Sequence, residues 1–337
     1  MKKIKIAQLG IGHNHGSEKM NTLRRFPELF EIVGVSERSP EWLEKRRNLD
    51  AYNGIPFMDE EELLNTPGLE AVAIETDGMD LLPTALRCAE RGLHIHMDKP
   101  GGHDLAKYRQ LCDMCKEKNL AFQMAYIYRT NAAIQFMLNA IRNDWIGEIF
   151  EIHAVMSRYD GDNLDYRKWM TQFPGGAMYI FAGYLIDIIL QILGTPDKVH
   201  SFMKQTRNDG LVDNGLAVLE YPRATATVRV SIEEVGGMQH RRFIICGTKG
   251  TMELTPIEHQ DYYNKSLMVR MNLKHPCGGY EAGEHMVDCG PLGGRYDEQM
   301  IQFAKIVRGE MVNPYPIEHE FLIQKILLQS CGLLPGE

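Results

Sequence analysis

Cysteine is scarce. There are seven in 337 residues, at positions 88, 112, 115, 246, 277, 289 and 331. Thiols so thinly spread cannot build a disulfide scaffold, and they fit a reducing, cytoplasmic setting. Cys112 and Cys115 have the spacing of a redox or metal pair, but they fall in the helical pattern of 105–118 and no second pair follows at zinc-like spacing. An excess of basic residues is also missing. The 37 Lys and Arg against 45 Asp and Glu leave a net charge of −8, which argues against nucleic acid as a partner. Long apolar runs are absent too. The best candidate span, 175–194, has an apolar core of about 16 residues, short for a bilayer. Asp187 and Gln191 interrupt it, so a buried helix is expected and no membrane partner. No export signal is expected, because the apolar stretch after Lys3 is short and carries Lys5 and Gln8. Repeats and low-complexity tracts are likewise absent. What remains is the composition of a globular protein long enough for two domains.

The first third alternates short apolar runs with helical patterns. Strands are expected at 4–9 (IKIAQL), 32–36, 71–75, 94–97 and 121–125, with helices at 17–25, 40–49 and 82–91. Ser39 reads as an N-cap and Pro40 as a first-turn residue. Strands alternating with helices mean βαβ units, and near-continuous apolar strands mean a parallel sheet covered on both faces. Beyond residue 125 the pattern changes. One helix (132–142) leads to a long alternating strand (149–157). After the apolar helix come extended segments at 199–204, 215–221, 224–231, 242–246, 251–254 and 267–271, and two helices close the chain at 296–308 and 317–330. The expected fold is α/β: a Rossmann domain over 1–124, then an α+β domain over 125–337 with a large, mostly antiparallel sheet. Residues 275–294 carry no motif and read as an insertion or lid, and 159–169 as a polar, aromatic loop.

Gly10-Ile11-Gly12-His13-Asn14-His15-Gly16 stands where the first strand gives way to a helix. One glycine lets the chain turn tightly and another lets backbone approach a pyrophosphate, while the helix N-terminus offers N–H groups and partial positive charge. Glu37, about 20 positions beyond the turn and just after the second strand, suits the adenosine ribose hydroxyls. A carboxylate there repels a 2′-phosphate, so NAD is favoured; Arg38 next to it keeps NADP open, since a guanidinium can bind that phosphate. His15 fills the third glycine position, so the loop must differ from the usual one. No third ligand stands near the His13–His15 pair in the sequence. No metal site is expected, and the two imidazoles are assigned hydrogen bonds to phosphate or loop backbone.

His94-Ile95-His96-Met97-Asp98-Lys99-Pro100 reads as a strand stopped by proline. Lys99 then lies at the carboxyl edge of the sheet, where open α/β folds bind ligands. Together, the glycine turn, Glu37 and Asp98-Lys99-Pro100 resemble the Gfo/Idh/MocA family, the relatives of glucose–fructose oxidoreductase and inositol dehydrogenase. Its usual motif is Glu-Lys-Pro after a Gly-Lys-His-like run, which Gly92-Leu93-His94 matches. Tyr126–Asn131 resembles the opening of the family's second domain, with Arg129 in the arginine position. Gly147-Glu148-Ile149 and Gly247–Thr251 resemble the entry to its large sheet and a late hairpin.

The resemblance implies a cytoplasmic NAD(P)-dependent oxidoreductase acting on a sugar, inositol or related polyol, with a homodimer or homotetramer built on the open sheet. It implies cofactor contacts from Gly10, Gly12, His13, Asn14, His15, Glu37, Arg38, Thr76, Asp98 and Lys99. It implies Lys99 as a catalytic residue, with Tyr184 and Asp187 as further catalytic candidates, and Arg129, Tyr166, Arg167 and Tyr184 toward the substrate. The apolar helix departs from the family pattern. Aligned on Asp187, Tyr184 stands where relatives carry the catalytic histidine, Ile180 replaces an aspartate and Ala182 a glycine. Thr76–Leu81 also departs, since Leu81 stands where relatives often have a histidine. Two readings stay open. Tyr184 replaces the histidine as proton partner, with Asp187 three residues on and on the same helical face. Alternatively, the chain is a catalytically silent, cofactor-binding sensor or regulatory protein.

Overall fold

A computed structural model describes residues 2–336. The apolar runs of the first third form five parallel strands: β1 (Ile4–Leu9), β2 (Phe30–Ser36), β3 (Ala71–Ile74), β4 (His94–Met97) and β5 (Phe122–Met124), in the order β2-β1-β3-β4-β5. They are buried on both faces: Ile6, Ala7 and every residue of β3 have no exposure. This is why their sequences show no alternation. Helices join them, and the Pro40–Arg46 helix starts as expected, with Ser39 Oγ accepting from the Trp42 N–H. Strand register sets which residues meet at the sheet's end. Leu9 pairs with Ser36 and Ile74, and Ile74 with Met97. The next residues of these strands, Gly10, Glu37, Glu75 and Asp98, therefore line up along one carboxyl edge.

The second sheet has eight strands: β6 (Ile149–Ser157), β7 (Lys198–Lys204), β8 (Asn214–Glu220), β9 (Thr225–Ser231), β10 (Arg242–Gly247), β11 (Gly250–Leu254), β12 (Met268–Leu273) and β13 (Gly283–Asp288), in the order β13-β12-β11-β10-β6-β9-β8-β7. All neighbours are antiparallel except β6 and β9. Helices Gly176–Phe181 and Gly183–Leu193 pack on one face and bury its alternate residues, Ala217, Leu219, Val228 and Ile152 among them. The opposite face leaves Phe202, Leu216, Met268 and Met286 exposed.

Three details differ from the sequence reading. The single apolar helix is two, breaking at Ala182. The 159–169 loop contains a helix, Leu164–Met170, whose cap Asn163 accepts from the Tyr166 N–H; seven residues are too few for a readable period. Residues 275–294, read as an insertion or lid, contain the edge strand β13, which pairs with β12 throughout. Its Gly-Glu-His-Met-Val-Asp text has little β-propensity, and pairing supplies the order.

The chain packs as two compact units. One runs through Tyr126 and also takes Gly294–Phe321; the other takes Ile127–Gly293 and the residues from Leu322 on. Besides the segment before the expected cut at 124/125, the first unit thus takes in 294–321. That segment is tied to the first unit by Gln299 Nε2 donating to the Tyr126 carbonyl at 2.7 Å and Tyr296 Oη donating to Asp98 at 3.2 Å. Among the described residues, no helix is long and apolar enough to cross a membrane.

Candidate functional site

The glycine turn of the first unit is fixed by contacts that only glycine permits. Gly10 has φ +88°, and a Cβ there would stand 2.3 Å from the Thr76 nitrogen. A Cβ on Gly12 would meet the Trp42 ring at 2.8 Å. Glu37 is partly buried beside them. Its Oε2 accepts from the Ile11 N–H at 2.7 Å and its Oε1 from the Ser39 N–H at 2.8 Å. Arg46 grips the other side of the turn. Nη1 lies 3.0 Å from the Ile11 and Gly12 carbonyls and 2.5 Å from that of His13, and Nη2 donates to Asn14 Oδ1 at 3.0 Å. The guanidinium also stacks on Trp42, 4.5 Å from the ring centroid.

A cavity of about 410 Å³ opens at this edge, lined by Gly10, Glu37, Arg38, Trp42, Thr76 and Asp77 among others. Thr76 Oγ1 is buried there with no hydrogen-bond partner among the described residues. A glycine cradle, a fixed carboxylate and an unsatisfied hydroxyl around one cavity fit a dinucleotide. Arg38 is exposed at its rim.

Behind the turn lies a buried ionic cluster. His13 Nδ1 is 3.4 Å from Asp98 Oδ2 and 3.6 Å from Glu75 Oε2, and His15 Nδ1 is 3.3 Å from Asp98 Oδ2. Arg295 approaches His15 Nε2 at 3.3 Å. Lys19 Nζ, fully buried, stands 3.1 Å from His96 Nδ1, 3.7 Å from Glu75 Oε1 and 3.5 Å from the Tyr296 ring centroid. Burial lowers the His13 pKa to about 4 despite Asp98, and burial with Arg295 holds His15 well below the usual imidazole range. Burial, then the charge of Asp98, pushes the Glu75 carboxyl well up. Burial acts on Asp98 in the same sense, but the surrounding His13, His15 and Lys19 outweigh it and hold Asp98 ionised. Burial lowers Lys19 to about 8. Lys99, which follows Asp98, is 5% exposed, and its backbone N–H donates to Asp98 Oδ1 at 2.7 Å.

In the second unit, the predicted residues fall into separate groups. Arg129 and Asp187 pair with each other, Nε to Oδ2 and Nη2 to Oδ1, both at 3.0 Å. Tyr184 is buried, with its ring 5.4 Å from that of Tyr128. Tyr128 in turn donates to Glu258 at 3.1 Å, and Glu258 also accepts from Arg241 and Tyr262. Arg167 is enclosed by three carboxylates: Asp209, 2.5 Å from Nη2; Asp213, 3.1 Å from Nη2; and Glu233. Tyr166 stacks on Trp169 at 5.4 Å, and burial pushes its phenol up to about 12. The side chains of Arg129 and Arg167 thus already hold carboxylates of their own chain.

Several members of the first site were not named from sequence: Arg46, Trp42, Lys19, Glu75 and Tyr296. Lys19 had a legible signal, since it shares the helical face of Gly16, Met20 and Leu23, all buried. Arg46 had none, because an arginine closing a surface helix is ordinary.

Comparison with known proteins places this arrangement. The family profile described as an oxidoreductase family with an NAD-binding Rossmann fold matches residues 4–126, and the Gfo/Idh/MocA C-terminal domain profile matches 134–253. The uncharacterized oxidoreductase YhhX of Escherichia coli is 28% identical over 216 residues, 62% of this chain and 60% of that protein. D-xylose 1-dehydrogenase (NADP(+)) 2 of Haloferax volcanii is 26% identical over 217 residues, 62% of this chain and 64% of that protein. The chain thus spans less than two thirds of the length of these two relatives. Among solved structures, KijD10, a 3-ketoreductase from Actinomadura kijaniata in complex with NADP and TDP-benzene, superposes with a TM-score of 0.78 at 16% identity, over 97% of this chain and 96% of that one. With both halves matched in order, and at this distance from its relatives, the chain belongs to the Gfo/Idh/MocA family of NAD(P)-binding oxidoreductases as a divergent member.

Proposed function

We propose that the protein is an NAD(H)-preferring oxidoreductase of a sugar, inositol or related polyol, with Lys99 as the catalytic residue. The observation that carries this reading is the shared carboxyl edge of one sheet. The glycine turn, Glu37 and the cavity lie at the ends of β1 to β3, and Lys99 at the end of β4. Gly10, Gly12, Thr76 and Glu37 would hold the dinucleotide, which when bound supplies or accepts a hydride. Asn14, His13, His15 and Asp98 shape the turn and its floor. Lys99 Nζ would hydrogen-bond the reacting oxygen and hold the proton that the hydroxyl loses or the carbonyl gains. Asp98 accepts from the Lys99 backbone N–H and so fixes where that side chain starts.

The NAD preference rests on Glu37. Two backbone N–H groups hold its carboxylate in place, so a 2′-phosphate would meet a fixed negative charge. Arg38 opposes this from the rim and leaves NADP as the weaker ligand. The exposed Phe202, Leu216, Met268 and Met286 on one sheet face support a homodimer or homotetramer. The seven cysteines are all free, which supports the cytoplasm as the location.

A second reading, the silent cofactor-binding sensor, is favoured by one observation. Asp187, the acid expected beside Tyr184, is bound by Arg129, while the resemblance puts Tyr184 itself in the family's histidine position. Tyr184 serves as proton partner only in the first reading.

The test is a screen of polyols and keto-sugars at the nicotinamide absorbance, with Lys99→Ala and Tyr184→Phe as controls. The enzyme reading expects turnover that falls by about 10²–10⁴ in Lys99→Ala. NADH binding without turnover on any substrate supports the sensor, and turnover unchanged in Lys99→Ala removes Lys99 from the mechanism.

A further inference from the structure

We propose that Glu75 is a positioning residue: held as a neutral acid, it donates its proton to Asp98 and so ties the end of β3, beside the cofactor cavity, to the end of β4, where Lys99 begins. The consequence for Lys99 rests on the oxidoreductase reading; the shared proton does not.

The first support is topological. Ile74 pairs with Met97, so the residues that follow, Glu75 and Asp98, are neighbours on adjacent parallel strands. Such strands lie about 4.8 Å apart, which sets the two carboxyl groups side by side, and neither residue has any exposure. Backbone bonds fix both positions. The Asp98 N–H donates to the Ile74 carbonyl at 3.0 Å, and the Glu75 carbonyl accepts from the His13 N–H at 2.9 Å. Two buried carboxyl groups this close do not both ionise.

The second support is the supply of donors. The Glu75 and Asp98 carboxyl groups are in hydrogen-bonding contact, and two acceptors make such a contact only when one carries a proton. Asp98 is well provided for as an anion. Its Oδ1 accepts from the Lys99 backbone N–H at 2.7 Å, and its Oδ2 accepts from Tyr296 Oη at 3.2 Å and lies 3.3 Å from His15 Nδ1. No N–H or hydroxyl among the described residues donates to either oxygen of Glu75. His13 Nδ1, 3.6 Å from Oε2, accepts the His15 backbone N–H and has no proton to give. The proton therefore belongs to Glu75.

Lys19 is the competing partner. Its Nζ stands 3.7 Å from Glu75 Oε1, outside hydrogen-bond reach, and closer to His96 Nδ1, at 3.1 Å, and to the Tyr296 ring centroid, at 3.5 Å. Lys19 and Arg295 favour the Glu75 anion, but burial and the charge of Asp98 outweigh them and hold the carboxyl well above its ordinary range. The remaining groups that face it stay neutral, since burial keeps His13 and His15 low and Tyr52 high. The functional consequence follows from chain order. Thr76, in the cavity wall, follows Glu75, and Lys99 follows Asp98. Loss of the proton would set two charges face to face and drive both strand ends apart, displacing the cavity wall and the start of Lys99 together.

The experiment uses the full chain and begins without cofactor or substrate. Infrared spectra of the wild type and Glu75→Gln are compared at neutral pH in H2O and D2O. The expected result is the carbonyl stretch of one protonated carboxyl group, which shifts in D2O and is missing from the variant. Urea denaturation gives a second readout. A carboxyl raised on folding stabilises the native state most below its unfolded value of 4.5, and the contribution is lost as pH rises toward the folded value. Between about pH 5 and 7 the folding equilibrium constant of the wild type should fall relative to that of Glu75→Gln by about tenfold per pH unit. NADH titration then tests the positioning. Glu75→Leu, which has no donor for Asp98, should bind about tenfold more weakly, and Glu75→Gln, whose amide N–H can donate, should recover the affinity. No such band in the wild type, a band kept in the variant, equal pH slopes, or full NADH affinity in folded Glu75→Leu would overturn the proposal. If Glu75→Gln fails to fold, Asp98→Asn takes its place in the infrared test, since removal of the like charge should let Glu75 ionise and abolish the band. A chain that shows the band yet binds no dinucleotide would contradict the oxidoreductase reading and leave the shared proton standing.

Discussion

Arg129 and Asp187 form a bidentate ion pair in the second unit, with both contacts at 3.0 Å and neither side chain exposed. A buried pair of this kind is costly to break from one side, because the remaining charge is left without compensation. Asp187→Asn is therefore expected to lower unfolding stability by about 3–5 kcal/mol, measured by urea denaturation. Replacing both residues by apolar ones of similar size should recover much of that loss. A catalytic Asp187 would instead show lost turnover at unchanged stability.

Arg46 holds three carbonyls of the glycine turn through one nitrogen. Its loss leaves the helix intact, since the residue closes that helix, but frees the turn to rearrange. Hydrogen bonds from a charged donor contribute about 1.5–3 kcal/mol each. Arg46→Ala is expected to weaken NADH binding about tenfold or more by calorimetry, with an unchanged far-ultraviolet dichroism spectrum. Equal affinity in the variant would remove Arg46 from the site.

The fixed carboxylate of Glu37 should govern cofactor choice. In Glu37→Ser the negative charge is gone and Arg38 remains at the rim. NADPH affinity should then rise relative to NADH by about tenfold, or roughly 1.4 kcal/mol. An unchanged ratio would mean that selectivity lies elsewhere.

Glu234 carries a predictable pH dependence. Partial burial works against its charge, but Arg229, Ser157 and His240 hold its pKa at about 2, against an ordinary value of 4.5. His240 Nδ1 lies 2.6 Å from it. A carboxyl lowered on folding stabilises the native state above its unfolded pKa, and this contribution fades as pH falls toward the folded value. The denaturation midpoint should therefore decline as pH drops from about 4.5 toward about 2. Glu234→Gln should show a smaller decline over that window, and an identical slope in both proteins would contradict the assignment.

Much of the first unit could be read from the chain. Ile4–Leu9, the glycines after it and His94–Met97 before Asp98-Lys99-Pro100 are local patterns, and each became the expected element. Three kinds of feature could not be read. Asp98 meets His13 and His15 across more than eighty positions, through the register of β1, β3 and β4, so the carboxylate beside the histidine pair was invisible. Asp187 shares a helical face with Tyr184, yet its partner comes from another element, and spacing along one helix cannot reveal that. Strand β13 lacks β-branched density, and its order comes from β12 rather than from its own residues.

The central claim is that a dinucleotide binds against the turn that Gly10 makes possible. Calorimetric titration of NADH into the wild-type chain and into Gly10→Ala tests it most directly, because a Cβ there would strike the backbone of Thr76 at 2.3 Å. The expected result is one site per chain with micromolar affinity in the wild type and no measurable binding in the folded variant. A wild-type chain that binds neither NADH nor NADPH, or a variant that binds as well as the wild type, would contradict it.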